Sequence, residues 1–160
     1  MDPTPPEHPL LIMAQYIRDF SFENPNAPEV YPSLSDKPPE ITVNIDVIPV
    51  QLSKRTYEIV FTVRVKAMSG ERVAFLIELD YAGIVSINEA VKEEDLELLL
   101  FIETPRHLFP FARNILATVT RDAAFPPLVV NPIDFERYYQ RTKKGTLKAA
   151  LAEHKEAAQT

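Results

Sequence analysis

The sequence ETPRHLFPFARNILATVTRDA occupies positions 103–123, and the rest of the chain is organised around it. Pro105 and Pro110 lie in this segment, and a helix that passed through both rings would be kinked. We therefore expect the long helix to begin near Phe109, with Pro110 in its first turn, where a missing N–H carries no cost. The predicted apolar stripe follows three- and four-residue spacing and comprises Phe111, Ala112, Ile115, Leu116 and Val119. This pattern is typical of a core helix packed on a sheet.

Three segments of strict alternation supply that sheet, because period-two alternation places one face in the core and the other in water. Their apolar positions are Ile41, Val43, Ile45 and Val47; then Tyr57, Ile59, Phe61, Val63, Val65 and Ala67; then Val73, Phe75, Ile77, Leu79 and Tyr81. The short turn at 68–71 predicts an antiparallel hairpin between the last two. Gly83 is expected to bend or bulge the final strand before 84–87.

A fourth strand is predicted over residues 10–22, although its pattern is mixed. Alternation would place Tyr16, Phe20 and Phe22 on one face, and Gln15, Ile17, Asp19, Ser21 and Glu23 on the other. The next segment, 23–40, contains five prolines and no periodicity. A connection this long is usually functional or disordered, and its apolar anchors favour a loop packed over the domain. A plain crossover without a role is the alternative. Together, the four predicted strands indicate a mainly antiparallel four-stranded sheet.

Helices are predicted for most of the second half. An acidic opening turn at 92–95 suits the positive end of a helix dipole, and Leu96, Leu99 and Leu100 would form the buried side. Pro105 would end this helix. The prolines of 125–130 require extended chain, and Asn131 is the predicted N-cap of a last helix, with Pro132 at N1.

Composition excludes several classes of function. The net charge of −6 does not favour nucleic-acid binding, and the absence of cysteine removes thiolate chemistry and cysteine metal sites. Three dispersed glycines cannot form a phosphate-cradling loop, and the three histidines lack metal-site spacing. The acidic, proline-rich start lacks the basic n-region expected of a signal peptide, and no apolar run reaches membrane-spanning length. We expect a cytoplasmic protein with no metal and no cofactor.

The last part of the chain is basic, with six basic and two acidic residues from position 137 onward. Such an alanine-rich end is often a fraying helix, and contact with anionic lipid or an acidic partner is the alternative. We divide the chain into a flexible tail (1–9), one domain (10–144) and a basic C-terminal tail (145–160).

Paired carboxylates were the one candidate for acid–base chemistry: Asp19, Glu23, Glu78 and Asp80. Their alternation places them on ordinary polar sheet faces, so a small-molecule enzyme is a minor alternative and the chain is predicted not to be an enzyme. An outward acidic face that includes Leu76 can instead dock a basic partner.

Blocks of the sequence resemble a known family at this point. They are YIRDFSFENPNAP at 16–28, PRHLFPFAR at 105–113, FPPL at 125–128 and NPIDF at 131–135. In this order they are similar to the signature blocks of SecB, the protein-export chaperone, in the form found in alphaproteobacteria. The resemblance implies an α+β protomer, with a four-stranded antiparallel sheet and helices packed on one face, assembled as a homotetramer that is a dimer of dimers.

The function that the resemblance implies is that of an ATP-independent holdase. It would keep precursor proteins unfolded in the cytoplasm and deliver them to SecA, the ATPase of the export translocase. By resemblance, SecA binds the acidic sheet face at Asp19, Glu23, Leu76 and Glu78. Unfolded clients would bind an apolar groove at Tyr16, Val30, Tyr31, Leu34, Phe125, Phe135 and Tyr139. A solitary SecB-like chaperone that guards another unstable protein, such as an antitoxin, is the alternative.

Overall fold

A computed structural model describes residues 7–142 of the chain. The chain divides into two compact units, one up to Val130 and one from Asn131 onward. Because the described residues are 7–142, they exclude the predicted basic tail (145–160) and most of the predicted N-terminal tail (1–9).

The first unit is built on one antiparallel sheet, as predicted. Its strands are β1 (Leu10–Glu23), β2 (Glu40–Ser53), β3 (Thr56–Ser69) and β4 (Arg72–Ile87). Their order is β1-β4-β3-β2, so β1 and β2 are the two edges. Two hairpins join β2 to β3 and β3 to β4, and Gly70 takes a φ of 60° in the second turn, a conformation that glycine adopts without strain.

The sheet has an inner face, which is covered by helix, and an outer face. The alternating apolar positions of β3 and β4 form the inner face, and Phe61 and Phe75 are fully buried there. Phe61 meets Phe109 of the long helix edge-on, with ring centroids 6.3 Å apart. Burial of this row of apolar side chains is the main stabilisation that the sequence provides.

The first helix begins in the acidic turn at 92–95, as predicted, but the long helix begins earlier than predicted. Helix α1 (Glu93–Leu98) continues through a π-helical turn (Leu99–Glu103) into α2 (Thr104–Asp122). Pro105 therefore opens α2 at its N-terminus instead of ending a helix, and Pro110 lies inside α2. The wider turn immediately before Pro105 is the local adjustment that keeps the chain helical up to this ring. The predicted start near Phe109 is wrong.

The buried stripe of α2 is also shifted from the prediction. Leu108, Ala112, Leu116 and Thr120 are buried at four-residue spacing, whereas Phe111 is 52% exposed. The earlier helix start places residue 108 on the sheet, which rotates 111 outward. Residues at 115 and 119 are only partly buried.

Gly83 has a different role from the predicted bulge. Both pairings of β4 run through this residue without a register shift. A Cβ built there would lie 2.9 Å from Cδ2 of Leu108. The missing side chain therefore lets α2 approach the sheet closely.

The register of β1 is interrupted by two irregularities, between Ile12 and Ala14 and between Ile17 and Asp19. The second one changes which residues share a face. Tyr16 lies opposite Ala82, on the outer face, while Ile17 lies opposite Tyr81 and Phe20 opposite Leu79, on the inner face. The prediction that Tyr16 shares a face with Phe20 and Phe22 is wrong, because a bulge shifts the alternation by one residue.

The segment between β1 and β2 is packed on the domain, as we favoured. It contains a 3₁₀ turn (Tyr31–Ser35), and Val30 before it is fully buried. The Tyr31 hydroxyl donates a 2.7 Å hydrogen bond to the carbonyl oxygen of Ala123, and Asn26 Nδ2 donates to the carbonyl oxygen of Val73. These long-range bonds tie the crossover to the end of α2 and to β4.

The second unit, in its described part, contains helix α3 over residues 135–142. The backbone N–H of Arg137 donates to Oδ1 of Asp134, which makes Asp134 the N-cap. The predicted cap at Asn131 is wrong by three residues, because Asp134 supplies the acceptor at the required spacing.

Candidate functional site

The four residues of the predicted acidic docking surface lie together on the outer face. Glu23 is opposite Leu76 across the β1–β4 pairing, and Ser21, which lies between Asp19 and Glu23 on β1, is opposite Glu78. Asp19 lies opposite Asp80, one row further along. Paired residues of antiparallel strands point to the same side, so these side chains form one surface. We call Asp19, Glu23, Leu76 and Glu78 the acidic face.

Three carboxylates of the acidic face are open to solvent. Asp19, Glu23 and Glu78 are exposed, and Leu76, beside Glu23 and Glu78, is partly buried. Among residues 7–142, none forms a salt bridge or side-chain hydrogen bond with these three carboxylates. Charges that are neither paired nor buried remain available to an incoming cationic partner.

The acidic face borders a shallow depression of about 280 Å³ on the outer surface. Its lining includes Ser21, Glu23, Thr42, Asn44, Arg64, Lys66, Leu76 and Glu78. The depression therefore combines acidic, polar and apolar groups with two basic side chains, Arg64 and Lys66. It is open enough to accept side chains of another protein and offers no enclosed cavity for a small substrate.

Two ion pairs on the outer face were missed by sequence reasoning. Arg64 on β3 pairs with Asp80 on β4 at 2.9 Å, and Arg18 on β1 pairs with Glu58 on β3 at 2.6 Å. Alternation along each strand marked these residues as polar. Their pairing depends on the register between strands, and the sequence does not give that register.

Tyr16 belongs to the second of these pairs. Its hydroxyl donates a hydrogen bond to Glu58, whose other carboxylate oxygen accepts from Arg18. Burial, and then the hydrogen bond and negative charge of Glu58, raise the pKa of Tyr16 to about 12. Glu58 is thus paired with Arg18 and hydrogen-bonded by Tyr16, unlike the carboxylates of the acidic face.

Four of the predicted client-binding residues lie in the crossover and just after α2, within the first unit. Tyr31 and Phe125 contact each other with ring centroids 5.4 Å apart, and Phe125 also meets Phe75 at 4.9 Å. Val30 and Phe125 are buried in the single chain, whereas Tyr31 and Leu34 are partly exposed. This group lies at the crossover and the end of α2.

The remaining predicted client-binding residues belong to other elements. Tyr16 lies on the outer face of the sheet, and Phe135 and Tyr139 belong to α3 in the second unit. Within the first unit, Val30, Tyr31 and Leu34 lie in the crossover, and Tyr31 contacts Phe125.

No helix within the described residues is both long and apolar enough to cross a membrane. Over residues 7–142 there is also no cluster of three or more histidine, aspartate or glutamate side chains that could hold a metal ion.

Solved structures show the class of fold. The chain is similar to a SecB-like chaperone of Mycobacterium tuberculosis, solved in complex with a peptide from the HigA1 antitoxin. The TM-score is 0.58 at 13% identity, with 78% of this chain and 90% of that chain covered. The fold is therefore that of the SecB-like chaperones.

Sequence comparison identifies the family. Residues 4–146 match the family described as "Preprotein translocase subunit SecB". The "Protein-export protein SecB" of Rhodospirillum rubrum is 41% identical over 146 residues, which cover 91% of this chain and 89% of that protein. The proteins of the same name from Parvibaculum lavamentivorans and Maricaulis maris are 43% and 46% identical, with 89% and 82% of this chain and 84% and 75% of those proteins covered. The chain belongs to the SecB family and is a chaperone of preprotein export.

Proposed function

We propose that this chain is an ATP-independent holdase of the cytoplasm, which keeps precursor proteins unfolded and passes them to SecA. Membership of a chaperone family supports the first part of the proposal. The proposal assigns the chain no catalytic step and no cofactor. A holdase acts by mass action, because a protein that binds the unfolded state withdraws it from folding and from aggregation.

The observation that carries the SecA proposal is the acidic face. Asp19, Glu23 and Glu78 are exposed on one surface, with Leu76 beside Glu23 and Glu78, and no described residue forms an ion pair or side-chain hydrogen bond with them. An apolar contact flanked by free carboxylates suits a basic segment that also carries an apolar side chain. Electrostatic attraction would also accelerate encounter between the two proteins, and it would weaken as salt rises.

Client binding is proposed for the crossover. Tyr31 and Leu34 are partly exposed beside the buried Val30 and Phe125, so a small movement of the 3₁₀ turn would enlarge the apolar surface. Aromatic and aliphatic side chains bind many sequences, because burial of apolar area is non-directional. Tyr16, Phe135 and Tyr139 remain in the proposed set by resemblance alone.

Assembly as a dimer of dimers is proposed from the apolar side chains near the β1 edge. Leu11, Met13 and Phe111 are 61%, 62% and 52% exposed in the single chain. An unpaired strand edge flanked by such residues is a surface that proteins normally cover. Analytical ultracentrifugation should give a tetramer mass, and Met13→Asp should reduce it. A monomeric wild-type protein at micromolar concentration would contradict the assembly.

The experiment that tests the function begins with a chemically unfolded, slow-folding precursor. Dilution into buffer with this protein should suppress light scattering and delay refolding without ATP, and the folded precursor should not bind. Unchanged aggregation at several-fold molar excess would refute the holdase.

The SecA step is tested separately with the double variant Asp19→Ala/Glu78→Ala. It should weaken SecA binding in calorimetry and leave the suppression of aggregation unchanged. The matched control is Glu89→Ala/Glu94→Ala, which removes the same charge from two exposed residues beyond the end of β4. Normal SecA affinity in the first variant would remove the site assignment.

A further inference from the structure

Arg64 occupies the centre of the outer face, between two carboxylates of β4. It lies directly opposite Glu78 in the β3–β4 pairing, while Asp80 lies opposite Thr62, one row away. Directly opposed Cβ atoms are about 4.5–5.5 Å apart, and diagonal ones about 7–8 Å. Strand spacing alone would therefore pair Arg64 with Glu78.

The guanidinium nevertheless pairs with the diagonal carboxylate. Arg64 Nη1 lies 2.9 Å from Oδ1 of Asp80 and donates to the carbonyl oxygens of Val63 and Leu79, each at 3.2 Å. The Asp80 side chain is 22% exposed, so water screens this pair less than it would screen a fully exposed one. Three acceptors on one side thus hold Arg64 away from its direct neighbour.

The direct neighbour is the residue that the proposed docking requires. Glu78 is exposed, belongs to the acidic face and lines the same depression as Arg64. A guanidinium that turned toward Glu78 would cancel its charge and occupy the depression. Arg64 is therefore compatible with docking only while another group holds its guanidinium away from Glu78.

We infer that Asp80 is a positioning residue for the acidic face: it retains the Arg64 guanidinium and thereby keeps Glu78 available to a basic partner. The inference rests on the proposed function for its consequence in binding, and on the strand register for its geometry. Asp80 acts through Arg64 and need not contact the partner itself.

The geometry is tested by the structure of the Asp80→Asn variant, which has nearly the shape of the wild type but lacks the charge. The expected result is that the Arg64 guanidinium lies within about 4 Å of the Glu78 carboxylate, the distance of an exposed ion pair. The comparison should use a copy of the variant in its crystal in which Arg64 does not contact a neighbouring molecule. An Arg64 that stays on the two carbonyl oxygens and does not approach Glu78 would overturn the inference.

The consequence is tested by calorimetry with SecA at low salt, where exposed charges are least screened. Asp80→Asn should weaken binding by about two- to fivefold, which is the range that an exposed ion pair supports. Removing Arg64 as well, in Arg64→Gln/Asp80→Asn, should restore the wild-type affinity. The conservative variant Asp80→Glu should retain most of it.

A double-mutant cycle separates positioning from the loss of one negative charge. The factor by which Asp80→Asn lowers the affinity for SecA should be at least twice as large when Glu78 is present as in a Glu78→Gln background. Equal effects in both backgrounds would mean that Asp80 acts only through its charge, and would overturn the inference. If wild-type protein does not bind SecA, the proposed function fails, and the variant structure still decides whether Asp80 positions Arg64.

Discussion

Thr120 offers a sharp test of how the end of α2 is joined to the segment that follows it. Its side chain is fully buried, and its hydroxyl accepts a 2.9 Å hydrogen bond from the backbone N–H of Leu128 while donating at 2.8 Å to the carbonyl oxygen of Leu116. Thr120→Val keeps the shape of the side chain and removes the acceptor. A buried N–H without a partner costs about 1–3 kcal/mol, which is the expected loss in the free energy of unfolding.

The assay combines urea unfolding at fixed protein concentration with amide exchange of Leu128. Thr120→Val should lower the free energy of unfolding by that amount at an unchanged urea dependence and should remove the exchange protection of the Leu128 N–H. Thr120→Ser is the matched control: it loses about 0.8 kcal/mol with the methyl group and keeps the protection. A valine variant with wild-type stability and a protected Leu128 would refute the reasoning.

Three further predictions concern other contacts. Gly83→Ala places a Cβ 2.9 Å from Cδ2 of the buried Leu108, so the free energy of unfolding should fall by about 1–3 kcal/mol, whereas a similar stability to wild type would contradict the close packing. Because the folded-state pKa of Tyr16 is raised to about 12, its contribution to stability is complete below pH 10 and is lost as the pH rises toward 12. Unfolding measured at pH 9 and pH 11.5 should show a smaller loss for Tyr16→Phe than for wild type; equal losses would contradict the assignment. Tyr31→Phe removes the 2.7 Å hydrogen bond to the end of α2 and should cost about 1 kcal/mol and raise proteolysis within the crossover, which unchanged digestion would contradict.

The proposed docking of SecA depends on the carboxylates of the acidic face, and the sequence predicted correctly which face of the sheet they share. Alternation along β4 put Leu76 and Glu78 on the polar face, and the positions of Asp19 and Glu23 relative to each other follow from their spacing within β1. No irregularity of β1 falls between 19 and 23, so this part of the prediction needed only the two-residue period.

Where the chain departs from regular periods, the same reasoning failed. Tyr16 was placed on the wrong face because a bulge lies between Ile17 and Asp19. The stripe of α2 was shifted because a π-helical turn precedes Pro105. Each irregularity adds or removes a residue from the pattern, and nothing in a single sequence marks where that happens.

The sequence by itself determined the antiparallel sheet, the β3–β4 hairpin and the positions of the acidic face, because these follow from local period, turn composition and spacing. It favoured the packed crossover through the apolar side chains of that segment. Tertiary structure decided the neighbours: Arg64 on Asp80 instead of Glu78, Arg18 and Tyr16 on Glu58, and Gly83 beneath Leu108. Such contacts join residues far apart in the chain through strand register and helix placement. Register and placement are set by the packing of the whole core, so only the folded chain specifies them.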